Sequence, residues 1–244
     1  MTIVDCSAGG VHFRMIATNE WETYRAATLM TKEPETVEWI VREFRVGDVF
    51  YDIGANIGLY TLLAAVHNPR GTVVAVEPMP ANMARLCDNI VLNELTNVAP
   101  ASLALSARPS IDELSLASLE PGSSMHSLGD GRMTESFGER VAMRLHVPTS
   151  TVDSLAQAVG VPNLIKIDVD GAEEGVLAGA ASVLRNAALR SVLLETNWIG
   201  DSDPRERRLE PLLDCGFVVD CAGALYRRGE VSWQNTILSR RTNG

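Results

Sequence analysis

The chain has 244 residues, of which 46% are hydrophobic and 21% charged, and a formal net charge of −10 at pH 7. The composition is that of a globular protein and excludes wholesale disorder, and the length suits one large α/β domain or two small ones. Nonspecific nucleic-acid binding requires a basic surface, so the negative charge argues against nucleic-acid partners and against anionic membrane surfaces.

The cysteines and the first residues of the chain exclude further classes of protein. The four cysteines form no CxxC pair and no cluster with histidine, so neither a structural zinc site nor a disulfide framework is expected. The stretch MTIVDCSAGG lacks the basic and apolar regions of a secretory signal. No run approaches the roughly 18 apolar residues that cross a bilayer. We expect a cytoplasmic protein without a membrane partner.

Residues 1–46 are predicted to be an N-terminal extension that ends in a helix. Strand character is weak, around 11–17. A helix is predicted over 33–44, because Pro34 suits a first helical turn and apolar residues recur there at steps of three and four.

Beyond residue 47, short apolar strands alternate with helices. Strands are predicted at 48–53, 72–76, 98–105, 164–169, 191–196, 216–220 and 234–239, and helices at 59–66, 81–93, 151–159, 172–187 and 204–215. This alternation indicates an α/β fold in which a parallel sheet is covered by helices on both faces.

Residues 106–147 interrupt the alternation. They hold several serines and glycines, including PGSSMHSLGDG at 121–131, with one short strand-like stretch at 141–147. A connection of this length is commonly functional. We therefore predict a single domain over 1–244, with 106–147 inserted in it.

The stretch VFYDIGANIG at 49–58 places an acid and two glycines directly after a buried strand. Gly54 and Gly58 let the backbone approach a ligand, and ligands of open α/β sheets bind at the carboxyl ends of strands. Glu77 ends the next strand, where its carboxylate can accept hydrogen bonds from both hydroxyls of a ribose. Either acid alone would as readily cap a helix or end a strand, but together they predict a nucleoside ligand.

The charge beside the loop distinguishes between nucleoside ligands. A pyrophosphate loop usually reads G-x-G-x-x-G, whereas this loop has only Gly54 and Gly58, and Asp52 would repel a diphosphate. The same carboxylate would attract an amino group or a sulfonium. We therefore predict S-adenosyl-L-methionine rather than NAD as the cofactor.

The motifs DIGANIG and VVAVEP resemble those of class I methyltransferases, and in particular of the FkbM-type methyltransferase family. KIDVDGAEE at 166–174 and LLETN at 193–197 are similar to later motifs of that family, and the resemblance covers about residues 31–200. It implies a Rossmann-like class I methyltransferase sheet, mostly parallel, with helices on both faces and an antiparallel strand near the C-terminus. The family usually has glutamate where Asp170 stands, a departure that keeps the charge.

The resemblance also implies residue roles. The methionine end of the cofactor would lie against Asp52, Gly54, Asn56 and Gly58, the ribose against Glu77, and the adenine near Leu103 and Ala104, with Met79 and Asn82 as flanking contacts. The expected acceptor is a hydroxyl of a sugar or of a hydroxylated natural product, which the insertion 106–147 would face. The expected partner is therefore a small molecule, and neither spacing nor composition indicates an oligomeric state.

The end of the strand at 164–169 is the predicted catalytic position. Asp168 would lie close to the transferred methyl group, as a base or as a group that orients the acceptor, and Lys166 would tune its charge or stabilise a developing alkoxide. Glu195, at the end of the next strand, and Glu173 would converge on the same edge. Alternatively, Glu173 and Asp170 complement a helix N-terminus, and Lys166 only forms a salt bridge.

Several alternatives stay open in the sequence. Acids gathered at one edge could hold Mg²⁺, so the metal is unknown and Mg²⁺ is possible without being required. His126, inside the insertion, could serve as the base instead of Asp168. An NAD-dependent oxidoreductase would share the fold and Glu77, and a non-catalytic nucleoside-binding or partner-binding protein is the alternative if Asp168 and its neighbours have only structural roles.

Overall fold

The structure, a computed structural model, describes residues 2–200 and 205–241. Its strands are β1 (Ile3–Ala8), β2 (Val11–Ile16), β3 (Val49–Ile53), β4 (Thr72–Val76), β5 (Val98–Ala101), β6 (Ala104–Leu105), β7 (Ser110–Leu116), β8 (Ser127–Leu128), β9 (Met143–Ser150), β10 (Leu164–Ile167), β11 (Ser191–Ile199), β12 (Phe217–Arg228) and β13 (Val231–Arg240). Its helices are α1 (Glu20–Thr28), α2 (Pro34–Glu43), α3 (Leu59–His67), α4 (Pro80–Leu92), α5 (Arg132–Ser136), α6 (Val152–Val159), α7 (Glu173–Ala178), α8 (Ala181–Arg185) and α9 (Arg205–Leu213).

The central sheet has seven strands in the order β12-β13-β11-β10-β3-β4-β5. The five strands from β11 to β5 are parallel, and β13 runs antiparallel to both of its neighbours. The chain proceeds outward from β3 in one direction and, later, outward from β10 in the other. The strand order therefore reverses between β3 and β10, the point at which open α/β sheets bind their ligands.

The hydrophobic core lies on both faces of this sheet. Successive residues of β3 alternate between the faces, because side chains of an extended strand point to opposite sides. Phe50 packs in one cluster with Trp39 and Leu62, and Tyr51 packs in the other with Val176 and Leu194. Both faces are therefore covered by helices, as the all-apolar strands predicted.

A second sheet of four strands, in the order β6-β9-β7-β8, takes β7, β8 and part of β9 from the predicted insertion. The sequence indicated only one strand there, since the long pairing of β7 with β9 joins segments that are distant along the chain. Met79, just after β4, packs with Leu114, Leu116 and Val147 of this sheet. The second sheet is thereby fixed to the carboxyl end of the central sheet.

Several predicted elements differ in extent, among them the strands expected over 191–196, 216–220 and 234–239, which are longer in the structure. The strand expected over 98–105 divides, because the chain leaves the central sheet after β5 and pairs with β9 through β6. The helix expected over 172–187 divides into α7 and α8 around Gly179, where a Cβ atom would lie 2.2 Å from the carbonyl oxygen of Ser106. Of the helix expected over 204–215, residue 204 lies outside the described residues.

Helix α1 was not predicted, because its sequence EWETYRAAT carries no apolar stripe. A capping signal was nevertheless present. The Asn19 side chain accepts a hydrogen bond from the backbone N–H of Glu22, as Asn followed three residues later by Glu suggests at a helix start.

The place between β3 and β10 where the strand order reverses, here called the switch point, requires a residue without a side chain at Gly54. A Cβ atom there would lie 1.8 Å from the carbonyl oxygen of Asp168, and the φ of Gly54 is +81°. The loop after β3 and the end of β10 are thus in backbone contact, which no larger residue would allow.

We expect Gly54→Ala to lower the free energy of unfolding by at least about 4 kcal/mol, since the backbone must move in addition to adopting a strained φ. Gly47→Ala is the matched control: its φ is +83°, and no atom of the described residues lies within 4 Å of the point that its Cβ atom would occupy. That variant should lose only about 1–2 kcal/mol. Urea denaturation of both proteins measures the difference, and equal losses would contradict the steric argument.

Candidate active site

A cavity of about 590 Å³ opens at the carboxyl ends of the parallel strands, on both sides of the switch point. A volume of this size suits a small organic ligand. Seven of the ten residues that the sequence singled out line it: Gly54, Asn56, Glu77, Leu103, Ala104, Asp168 and Glu195. The other three, Asp52, Gly58 and Lys166, do not line this cavity.

Glu77 is held in place by backbone donors. Its Oε2 accepts from the N–H of Asn56 at 2.8 Å, and its Oε1 accepts from the N–H of Met79 at 2.8 Å. Burial raises the pKa of Glu77 to about 7, although these two hydrogen bonds and the charge of Arg25 favour the ionised form. Each oxygen keeps a second lone pair, so the carboxylate can accept two further hydrogen bonds from a ligand in the cavity.

Asp52 and Lys166 lie behind the glycine loop. Both side chains are almost fully buried, with 1% and 2% of their surfaces exposed, and Lys166 Nζ is 3.7 Å from Asp52 Oδ1. Thr61 donates to Asp52 Oδ2 at 2.6 Å. Burial raises the pKa of Asp52, an effect that Lys166 and Thr61 oppose. In this structure the Asp52 carboxylate faces the protein interior and not the cavity.

Gly58 lies where two helices pack closely together. It is the N-cap of α3 with a φ of +94°, and a Cβ atom there would lie 2.5 Å from Leu86 Cδ1. The glycine thus allows α3 and α4 to approach each other. Its predicted role at the cofactor stays a prediction.

Asp168 and Glu195 form a pair of carboxyl groups at the cavity wall. Burial disfavours the charge of Asp168, but the Lys166 ammonium, 2.9 Å away, and Lys32 outweigh it and lower the pKa of Asp168. Burial and the charge of Asp168 raise the pKa of Glu195 well above its usual range. The two pKa values shift in opposite directions, so a proton shared by the pair favours Glu195 and leaves Asp168 ionised.

Asp170 and Glu173 stabilise the turn that follows β10. Asp170 has a left-handed backbone with a φ of +49°, and its Oδ2 accepts from the N–H of Met125 at 2.8 Å. Glu173 Oε1 accepts from the N–H of Gly171 and from Asn197 Nδ2. Glu173 does not line the cavity, which agrees with the structural alternative considered for it.

Residues 121–125, which we call the roof segment, cross the cavity above the glycine loop. The carbonyl oxygen of Ser123 accepts from Asn56 Nδ2 at 2.7 Å, and the N–H of Gly122 donates to Asn82 Oδ1 at 2.8 Å. From the other side, Asn19 Nδ2 donates to the carbonyl oxygen of Pro121. The roof segment therefore joins the N-terminal extension to the glycine loop, a connection that sequence reasoning missed.

Both ring nitrogens of His126 are committed to the insertion. Its Nδ1 accepts from the N–H of Ala117 at 3.1 Å, so the proton of the neutral ring is on Nε2. Ser123 donates its hydroxyl hydrogen to the carbonyl of Glu120 and so accepts from His126 Nε2, 3.2 Å away. Burial lowers the pKa of His126 to about 4. These contacts favour a structural role over that of a base.

The far wall of the cavity is aromatic, with Tyr226 and Trp233 on the antiparallel strands β12 and β13 and Phe137 at the end of α5. The rings of Tyr226 and Trp233 stack at 5.7 Å between centroids with an interplanar angle of 19°, and Phe137 meets Trp233 edge-on at 6.0 Å. All three residues line the cavity. Sequence reasoning missed this wall, because the two strands bring together residues that no local motif marks.

Within residues 2–200 and 205–241, no three or more His, Cys, Asp or Glu side chains are arranged to hold a metal ion. In the same part of the chain, no helix has the length and apolar character required to cross a membrane.

The raised pKa of Asp170 predicts that the stability of the protein depends on pH. Burial and the charges of Asp168 and Glu173 raise its pKa to about 7, so the folded protein retains a proton that the unfolded chain has lost above about pH 4. Ionisation therefore costs stability as the pH rises from about 4 to about 7. Asparagine tolerates the left-handed backbone and cannot ionise. We therefore expect the free energy of unfolding of Asp170→Asn to rise relative to that of the parent as the pH increases over this range.

Urea denaturation of parent and variant across the range measures the gain. The exposed Asp88→Asn variant on α4 is the reference and should give a difference that stays constant with pH. A constant difference for Asp170→Asn as well would contradict the assignment.

The chain is similar in sequence to known methyltransferases. Residues 52–219 match the Methyltransferase FkbM domain. The chain is 31% identical over 159 residues to 31-O-demethyl-FK506 methyltransferase FkbM of Streptomyces tacrolimicus, a match covering 56% of this chain and 61% of that protein. It is 26% identical over 156 residues to the hexuronic acid methyltransferase AglP of Haloferax volcanii, covering 63% of this chain and 59% of that protein. Each match thus spans less than two thirds of the relative.

A solved structure supports the fold. The precorrin-6y C5,15-methyltransferase of Geobacter metallireducens is 15% identical, with a TM-score of 0.51 over 93% of each chain. Together with the strand order, this likeness confirms the predicted class I methyltransferase fold, mostly parallel with an antiparallel C-terminal pair. Because the match to the domain covers more than half of the chain, the protein belongs to the FkbM methyltransferase domain family.

Proposed function

We propose that the protein transfers a methyl group from S-adenosyl-L-methionine to a hydroxyl group of a small acceptor. The observation that carries the proposal is that Glu77 and Asp168 face one cavity from opposite sides of the glycine loop. The Glu77 carboxylate is suited to the ribose of the cofactor. The Asp168 carboxylate is suited to an acceptor that lies next to the methyl group to be transferred.

The residues present fit this cofactor. Glu77 has lone pairs free for two ribose hydroxyls, and the apolar Leu103 and Ala104 suit a flat adenine ring. The glycine loop brings backbone rather than side chains to the cavity, which suits the amino-acid end. NAD is the less favoured ligand, because the loop offers no G-x-G-x-x-G cradle for a diphosphate.

Methyl transfer needs alignment more than it needs strong acid–base groups. The bound cofactor supplies an electrophilic methyl group on a sulfonium, and its sulfur becomes a neutral thioether when the methyl leaves. The protein must hold the acceptor oxygen in line with the carbon–sulfur bond. The ionised Asp168 carboxylate, partly exposed to the cavity, can orient the acceptor by accepting a hydrogen bond from its hydroxyl.

The charges around Asp168 suit this role. Its pKa is lowered, so it is a weak base, but the acceptor hydroxyl becomes strongly acidic as its oxygen bonds the methyl carbon, and a weak base then suffices to take the proton. Lys166 keeps Asp168 ionised before transfer, and the raised pKa of Glu195 lets that neighbour hold a proton next to the carboxylate without competing for the negative charge. A direct contact of Lys166 with the acceptor is less favoured, since it lies behind Asp168.

A sugar or a similar hydroxylated compound is the proposed acceptor class. The aromatic wall formed by Phe137, Tyr226 and Trp233 offers ring faces on which the C–H face of a sugar can pack. One relative is described as acting on a hexuronic acid and another on 31-O-demethyl-FK506. The net charge of −10 supports a small acceptor over nucleic acid. Cytoplasmic location stays a prediction from the sequence, which indicates no oligomeric state and does not require Mg²⁺.

Calorimetric titration with S-adenosylhomocysteine and, separately, with NAD tests the cofactor. We expect micromolar binding of S-adenosylhomocysteine and none of NAD, because the loop offers no G-x-G-x-x-G cradle for a diphosphate. Binding of NAD alone would overturn the proposal.

Glu77→Ala tests the ribose contact in the same titration. The variant should bind S-adenosylhomocysteine more weakly by about 10-fold or more, since hydrogen bonds to a charged acceptor are lost, and it should remain folded by circular dichroism. Unchanged affinity would remove Glu77 from the cofactor site.

Asp168→Asn tests the acceptor contact. We expect it to slow methyl transfer by about 10²- to 10⁴-fold, because the amide cannot take the acceptor proton, while its affinity for S-adenosylhomocysteine changes far less. S-adenosylhomocysteine release with an acceptor found in a screen of hydroxylated sugars gives the rate, and Asp88→Asn on the outer face of α4 is the control. Equal rates in Asp168→Asn and the parent would exclude this role.

A further inference from the structure

Arg25 on α1 points into the cavity without an acidic partner. Its Nε donates to the carbonyl oxygen of Gly122 at 2.6 Å, which fixes the guanidinium against the roof segment. Among the residues that the structure describes, no carboxylate lies within 4 Å of it and the two Nη groups have no hydrogen-bond acceptor. Four N–H donors of a half-buried cation are thus left for a ligand.

The nearest candidate partner on α1 is already occupied. Glu22, one turn before Arg25, is completely buried, and its Oε1 pairs with Arg85 Nε at 3.2 Å. Its Oε2 accepts from the N–H of Thr18 at 2.6 Å and from the hydroxyl of the same residue. Glu22 therefore does not neutralise Arg25.

Other cations at the cavity differ from Arg25 in this respect. Lys32 Nζ is 2.6 Å from Glu33 Oε1, and Arg228 forms a salt bridge with Glu139. Each is paired with a protein carboxylate, whereas Arg25 forms no salt bridge within the described residues and acts on Glu77 and Asp170 only from beyond 4 Å. A buried or half-buried charge that lacks a partner is costly, and a ligand anion would compensate it.

The position of Arg25 indicates which anion. Arg25 lines the main cavity and also a smaller one of about 40 Å³ against the glycine loop, whose walls include Gly54 and Asn56. Its charge also favours the ionised form of Glu77, the residue proposed for the ribose. Arg25 thus lies at the part of the cavity next to the glycine loop.

We propose that Arg25 binds the carboxylate of the amino-acid end of the cofactor, an inference that rests on the proposed methyltransferase function. Guanidinium and carboxylate groups match in shape and charge, and two parallel hydrogen bonds can form between them. Arg25 lies outside residues 52–219, which match the family, so the contact is a property of this chain's N-terminal extension. The extension is then a part of the cofactor site and not only a cover over it.

The test compares two nucleosides that differ in the amino-acid end. S-adenosylhomocysteine carries the carboxylate, and 5′-methylthioadenosine has the same adenosine without any amino-acid group. We expect Arg25→Gln to weaken binding of S-adenosylhomocysteine by about 10- to 100-fold and to leave the affinity for 5′-methylthioadenosine unchanged. Arg25→Lys, which keeps the charge, should recover part of the loss. Arg132→Gln, at an exposed arginine on α5, is the control.

The pair of ligands separates the possible results. An equal loss for both nucleosides would mean that Arg25 acts only by holding the roof segment, and would overturn the proposal. Unchanged binding of S-adenosylhomocysteine to Arg25→Gln would overturn it as well and would leave an anionic acceptor as the partner of Arg25. Failure of the unaltered protein to bind either nucleoside would instead contradict the proposed function itself.

Discussion

The buried contact between Lys166, Asp52 and Asp168 is the interaction on which the cavity depends. Asp52 and Lys166 are directly paired across the parallel strands β3 and β10, so the charges lie at the point where the strand order reverses. Burying such charges is costly unless they are paired, and removing the lysine would leave two carboxylates facing each other. The contact therefore fixes both the ends of the two strands and the ionised state of Asp168.

The roof segment adds a second constraint, which is made of hydrogen bonds and not of charge. Asn56 contacts it from the glycine loop, Asn82 contacts it from α4, and Asn19 contacts it from the N-terminal extension. Amide side chains suit this position because each can donate and accept at once, as Asn82 does toward Ser123 and Gly122. The cavity is thus enclosed by parts of the chain that are more than a hundred residues apart.

Sequence reasoning predicted the parallel sheet and the residues at its carboxyl edge, because these are encoded locally by apolar runs that end in acids and glycines. It did not predict that Asp52 faces inward, since the direction of that carboxylate is set by Lys166 and Thr61, which pack against it only in the folded chain. The aromatic wall and Arg25 were missed for a related reason. They reach the cavity through an antiparallel pairing and through a helix without an apolar stripe, and neither leaves a periodic signal.

The two sides of the cavity come from different parts of the chain. The switch point and the position proposed for the ribose lie within the residues that match the family domain, whereas Arg25, Tyr226 and Trp233 lie before or after them. Substitutions in these flanking segments leave the β3–β10 contact intact and so escape its stability cost. Such a division would let the flanking walls of the cavity vary between members of a family while the two strand ends at its centre keep their geometry.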